Sequence, residues 1–192
     1  MTRPWLNPLA QAETARAAIA DTVGVIETAR LRLRAPRIED WQVLEPIWTT
    51  KRAVFIGGPF GPETAYLDFC QAIAGWVLRG VGGYTIEDRA TGEVFGLAGL
   101  FVDWGDPEPE LGWLLTESAE GKGIALEAAT AIRDHLFGGL GFDQVVSYID
   151  APNTRSITLA ERMGAICDPE PLPDTGDDVV LVYRHKRPGA AA

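Results

Sequence analysis

The stretch ELGWLLTESAEGKGIALEA, residues 110–128, changes its hydrophobic period part-way along. Leu111, Trp113 and Leu115 alternate with their neighbours, the period-two pattern of a strand packed on one face. From Gly123 onward Ile124, Ala128, Ile132 and then His135 or Leu136 recur at helical spacing, with Glu127, Thr130, Arg133 and Asp134 on the outer side. Between strand and helix lies Glu120-Gly121-Lys122-Gly123. Glycine lets a ligand approach the main chain closely, and the first amides of a helix lack intrahelical partners. Together with the helix dipole they make a metal-free site for phosphate or pyrophosphate, to which Lys122 would add charge.

Spacing narrows that reading. A P-loop needs Ser or Thr after Gly-Lys, but Gly121-Lys122 is followed by Gly123. A dinucleotide fingerprint needs a third glycine, and position 126 is Leu. Taken locally, the two glycines also fit an ordinary helix entry without a ligand.

Working outward, residues 84–88 (YTIED) and 94–102 (VFGLAGLFV) predict two strands joined by Arg89-Ala90-Thr91-Gly92, a short hairpin connection. Before them, Tyr66, Phe69, Ile73 and Trp76 or Val77 mark a helix that starts at Pro62 and stops near Gly80. Asp40 is placed to cap an earlier helix through Leu44 and Ile47, which contains Pro46. Leu31 and Leu33 alternate with Arg30, Arg32 and Arg34 as a half-buried strand ended by Pro36. Beyond the glycine loop, Gly138 and Gly139 stop its helix. Residues 144–150 then read as a strand, 153–163 as a short helix and 179–184 as a closing strand. The result is one mixed α/β domain at residues 28–187. It is preceded by a partly helical extension at 1–27, alanine-rich over 10–20, and followed by a tail at 188–192.

A chain of 192 residues can bury a core without staples. The formal net charge of -10, from 27 acids against 17 Lys and Arg, opposes binding to a nucleic-acid backbone and favours a cationic or amine-bearing partner. Cys70 and Cys167 form no CxxC pair, no signal-peptide core precedes the domain, and no run has the length of a membrane span. These features fit a cytoplasmic enzyme. His135 and His185 have no metal-ligand spacing, and Asp174, Asp177 and Asp178 read as an exposed turn, so no metal is expected.

Three segments in this order and separation, ETARLRLRAP at 27–36, ELGWLLTESAEGKGIALEA at 110–128 and APNTRSITLAERMGA at 151–165, resemble the GNAT acetyltransferase superfamily, particularly its RimJ/RimL-like branch. The resemblance implies a single mixed-sheet domain with a splayed central pair of strands. It also implies acetyl-CoA as cosubstrate and transfer of acetyl to a primary amine of a small molecule or protein N-terminus. In that family a Q/R-x-x-G-x-G/A loop cradles the CoA pyrophosphate; here it falls on Glu120, Gly121, Lys122, Gly123, Ile124 and Ala125. Glu120 departs from the pattern. A carboxylate repels pyrophosphate, so Glu120 is expected to point away while main-chain amides bind.

The strands implied to splay are 111–116 and 144–149, leaving room for the pantetheine arm, with the Leu114 or Leu115 amide placed to polarise the thioester carbonyl. Asn153 and Ser156 match the family's N-x-x-S segment. Asn153 would contact CoA, and Ser156 would contact it or protonate its sulfur; by residue type alone, Asn153 caps a helix and Ser156 is an ordinary first-turn residue. Glu110 is the candidate general base, and it is also one of a run of acids with Asp103, Asp106, Glu108, Glu117 and Glu120. A covalent cysteine route has less support, since Cys70 falls on the apolar helix and Cys167 has no sequence-adjacent base. Trp41, Trp48, Phe55, Phe60, Tyr66 and Trp104 are candidate walls of the acceptor pocket. Homodimerisation is compatible with the family, and a non-catalytic acyl-CoA-binding regulatory module is the alternative function.

Overall fold

The computed structural model describes residues 4–173, 175–176 and 178–189. The chain runs α1 (Ala12–Val23), β1 (Ile26–Glu27), β2 (Leu31–Arg34), α2 (Trp41–Thr49), α3 (Pro62–Arg79), β3 (Gly83–Asp88), β4 (Val94–Phe101), β5 (Glu110–Leu115), α4 (Ile124–Gly138), β6 (Gln144–Asp150), α5 (Thr154–Arg162), β7 (Ile166–Cys167) and β8 (Val180–Lys186). One sheet of eight strands has the order β1-β2-β3-β4-β5-β6-β8-β7. Every neighbouring pair is antiparallel except β5 and β6. Relative to the sequence reading, the additions are β1 and β7, two-residue edge strands too short to carry a period.

Both faces of the sheet are covered. Leu31, Leu33, Ile86, Ala98, Leu100 and Leu111 meet Ile124, Ala128, Ile132 and Leu136 of α4 on one face. On the other, Leu97 and Leu114 meet Trp41, Leu44, Ile47, Trp48 and Phe69 of α2 and α3. Trp41 and Phe69 rings lie 5.4 Å apart, and Trp48 and Phe69 rings 6.1 Å apart. This aromatic interlock fixes α2 against α3 and therefore the 3-10 turn Lys51–Ile56 between them. Pro46 sits inside α2, where packing of Trp41, Leu44, Ile47 and Trp48 outweighs its missing donor.

Two charged residues settle differently from the sequence expectation. Asp40 makes no side-chain cap for α2. Its carboxylate instead accepts from Arg34 Nη1 and Nη2 at 2.9 and 2.8 Å, Thr85 Oγ1 at 2.7 Å and the Arg37 amide at 2.8 Å. Arg34, also paired with Glu87 at 2.6 Å, is thereby buried rather than solvated. A buried guanidinium needs this full set of acceptors, and local capping was the weaker claim on Asp40.

Trp104 is fully exposed, whereas Trp41 is core and Tyr66 and Phe60 pack against that core. Cys70 is half-buried on α3 and Cys167 exposed on β7. Asp178 is exposed, with its amide donating to the Thr175 carbonyl at 3.4 Å. Asp174 and Asp177 of the expected turn lie outside the described residues, as do residues 1–3 and 190–192 of the two termini. Among the described residues no helix is long and apolar enough to cross a membrane.

Candidate active site

The parallel pair β5 and β6 is joined at one register position, Glu110 to Val146, with the Val146 amide donating to the Pro109 carbonyl at 3.2 Å. Side chains occupy the next ladder positions. Ser147 Oγ donates to the Leu111 carbonyl at 2.6 Å, and the Tyr148 amide donates to Glu110 Oε1 at 3.4 Å. Beyond them the strands fork. Since β5 stays paired with β4 through Leu115 opposite Gly96, the gap opens on the β6 side alone.

Main-chain direction in β5 follows from alternation. The Leu114 carbonyl lies against Gly96, and the Thr116 amide donates to the Phe95 carbonyl at 2.8 Å, so these two residues face β4. Trp113 and Leu115 face the fork. The Leu115 carbonyl there accepts from Arg52 Nη2 at 3.0 Å and Nε at 3.3 Å. Of the two amides considered from sequence, the Leu115 amide is thus the one directed into the gap.

The fork is the waist of a cavity of about 1000 Å³ that reaches both sides of the sheet. One end is lined by Gly121, Gly123, Ile124, Ala125, Asn153 and Ser156. Gly121 and Gly123 have φ of 70° and 74°, a left-handed conformation that side chains rarely adopt. An added Cβ at Gly121 would meet nothing within 4 Å, and one at Gly123 only Arg30 at 3.6 Å. Both glycines line the cavity, next to the free first-turn amides of α4. This fits a pyrophosphate. Asn153 Oδ1 accepts from the Ser156 amide at 3.3 Å, so Asn153 caps α5 while its face lines the cavity. Lys122 is exposed and lies off the cavity wall, its carbonyl accepting from Arg30 at 3.0 Å. Glu127 braces the loop from behind: it accepts from Thr28 Oγ1 at 2.6 Å, the Arg30 amide at 3.0 Å and Arg30 Nε at 2.7 Å.

Glu120 does not turn away from this end. It lines the cavity and is ion-paired to both Arg52 and Arg155. Burial alone would raise its carboxyl, but Arg155 and Arg52 hold it below the usual carboxylate range. Two cations remove the repulsion on which the expectation of an outward Glu120 rested. Sequence reading missed both. Arg155 stands inside the N-x-x-S segment and was available to inspection, whereas Arg52 is 68 residues from Glu120 with no periodic signal.

The opposite end is acidic. Asp68, Asp103, Asp106 and Glu110 line it with Phe55 and Trp48. Glu110 is pushed up to about 8, chiefly by burial and then by the charge of Asp106, with Asp103 adding and the Tyr148 amide opposing. Burial also raises Asp106 and Asp68. Trp48 Nε1 donates to Asp68, and Gln71 Nε2 to Asp103 at 2.8 Å. Beneath the fork His185 is buried, its Nε2 3.1 Å from Ser147 Oγ. Because that hydroxyl donates to Leu111, it accepts from His185, which assigns the proton to Nε2. Burial and Arg133 lower the ring to about 4, so it is neutral.

The chain matches the Acetyltransferase (GNAT) domain over residues 30–166. It is 30% identical over 140 residues to the uncharacterized N-acetyltransferase p20 of Bacillus licheniformis, covering 71% of this chain and 79% of that one. Among solved structures it resembles an acetyltransferase from Agrobacterium tumefaciens, with 36% identity, TM-score 0.79 and coverage of 85% of this chain and 95% of the other. It also shares the fold of RimL, a ribosomal L7/L12 alpha-N-protein acetyltransferase solved with coenzyme A, at 19% identity, TM-score 0.69 and coverage of 85% and 98%. A forked mixed sheet, an open glycine loop at a helix start and this span of similarity lead to one conclusion: the chain belongs to the GNAT acetyltransferase family.

Proposed function

We propose that the enzyme transfers acetyl from acetyl-CoA to a primary amine of a cationic small molecule or a protein N-terminus. The observation that carries this reading is a single cavity with an open glycine loop, Arg52 and Arg155 toward one end, where Asp150 and Asp178 also line it, and a cluster of carboxylates around a raised Glu110 at the other. Such a cavity accepts a polyanionic donor and a cationic acceptor from opposite sides of one fork.

In this reading the loop amides of Gly121 and Gly123 and the first-turn amides of Ile124 and Ala125 hold the pyrophosphate, and Asn153 contacts the donor beside them. The fork-facing main chain of Trp113 pairs with a pantetheine amide, as an added strand would, while the Leu115 carbonyl stays with Arg52. Bound acetyl-CoA supplies an activated thioester carbonyl. The Leu115 amide then stabilises the oxyanion that develops there. Glu110, directly or through a water, accepts a proton from the amine, whose nitrogen lone pair forms the C–N bond as the C–S bond breaks. Ser156 is the candidate to deliver a proton to the departing sulfur. A carboxyl near 8 suits the base role, since it is strong enough to take the proton yet partly ionised near neutrality.

The test is CoA release and mass-detected acetyl product with N-terminal peptides, amino acids, polyamines and amino sugars. Acetyl transfer to at least one amine is expected. CoA binding without turnover on any amine favours a regulatory module, and absence of CoA binding by folded protein removes both readings.

A further inference from the structure

Glu120 occupies the loop position at which a carboxylate is least suited to a phosphate site, yet two guanidinium groups from opposite walls converge on it. The two arginines are not equivalent. Arg52 has a side chain 21% exposed and a second anchor in the Leu115 carbonyl. Arg155 is 69% exposed and has no other hydrogen-bond partner among the described residues. It stands between Asn153 and Ser156, on the wall facing Gly121 and Gly123. A carboxylate whose two oxygens each take a separate guanidinium presents the charge and geometry that a phosphate oxygen pair presents.

We propose that Glu120 is a built-in stand-in for a cofactor phosphate: it holds Arg155 at the donor end and releases it to the incoming phosphate, while Arg52 keeps the carboxylate neutralised. This rests on the acetyl-CoA reading. It assigns phosphate binding to Arg155 and makes Glu120 a competitor for that arginine. The exchange replaces one exposed ion pair by another, so its cost is small and the site stays ordered before the donor arrives.

The experiment is calorimetric titration of the full chain with CoA at low and high salt, for wild type, R155Q, R155K, E120Q and the E120Q/R155Q double variant, with melting curves to verify folding. R155Q should weaken CoA about tenfold and flatten the salt dependence by roughly one cation, with R155K recovering part of the loss. E120Q should tighten CoA about twofold to fivefold, the scale of an exposed ion pair, and this gain should vanish in the double variant. Weaker binding by E120Q, or R155Q binding like wild type with an unchanged salt slope, overturns the proposal. Should E120Q fail to fold, E120A and E120A/R155Q carry the same comparison, with the same tightening expected of E120A and the same loss of it in the double variant. Wild type that does not bind CoA refutes the acetyl-CoA reading instead.

Discussion

Replacing Glu110 by Gln tests the reaction and the physical state of the site at once. With its carboxyl at about 8, wild type has only about a tenth of Glu110 ionised at pH 7 and about nine tenths at pH 9. The amine acceptor also deprotonates over this range, so the informative quantity is the ratio of wild-type to E110Q kcat/KM at each pH, in which the amine cancels. That ratio should rise about tenfold from pH 7 to 9 and reach about 10² to 10³ at its plateau. Stability supplies an independent arm. A carboxyl raised from 4.5 to about 8 on folding contributes its full stability below 4.5 and loses it as pH rises to 8. E110Q, which cannot ionise, should therefore match wild type near pH 4.5 and exceed it above pH 8. At about 1.4 kcal/mol per tenfold the upper bound is ~5 kcal/mol. Glu110 is only partly shielded in an open cavity, so a gain of about 2 kcal/mol is expected by urea unfolding. A wild-type to E110Q ratio flat across pH refutes the base role, and a stability difference constant from pH 5 to 9 refutes the strained carboxyl.

Other expectations follow from neighbouring groups. Asp106→Asn removes the largest like charge on Glu110, so the acidic limb of the profile should move to lower pH and kcat/KM at pH 7 should rise about threefold. Gly121→Val forces a branched residue into φ 70° and fills the open space above the loop. It should cost about 1 to 2 kcal/mol in unfolding experiments and weaken CoA binding by more than about tenfold in titration. His185 is held at about 4 against 6.5 unfolded, so its contribution is intact above 6.5 and lost as pH falls to 4. His185→Gln should abolish up to about 2 kcal/mol of acid destabilisation in denaturant melts at pH 7 and 4.5.

How much of this was legible depended on the distance over which each interaction acts. The strand at 110–115, the glycine loop and the helix stripe of Ile124, Ala128 and Ile132 are local patterns, and the structure places them together as read. Pairwise charge was not legible in that way. Arg34 looked like the polar side of a half-buried strand because its partners Asp40 and Glu87 come from two other elements. Glu120 looked like a residue that must leave the phosphate site because Arg52 and Arg155, 68 and 35 residues away, approach it from two other elements. Aromatic candidates for the acceptor wall divided for the same reason, with Trp41 drawn into the α2–α3 core and Phe55 left on the cavity.

The fork itself has a cause that no single motif expresses. Two parallel strands part where their ladder groups find other partners, and here those partners are side chains of the strands themselves. Ser147 takes the Leu111 carbonyl and Glu110 takes the Tyr148 amide, so neither backbone group is left unsatisfied where pairing stops. His185 fixes the serine hydroxyl from below. The same Glu110 carboxyl that ends the ladder is the one that burial and Asp106 raise. Strand separation and the strength of the proposed base are therefore coupled through one side chain. Ser147→Ala, which frees the Leu111 carbonyl without touching Glu110, separates the two: it should lower stability by about 1 to 3 kcal/mol while the pH dependence of turnover keeps its midpoint. A midpoint that moves with the serine would mean that the fork geometry, more than the acidic neighbours, sets the carboxyl.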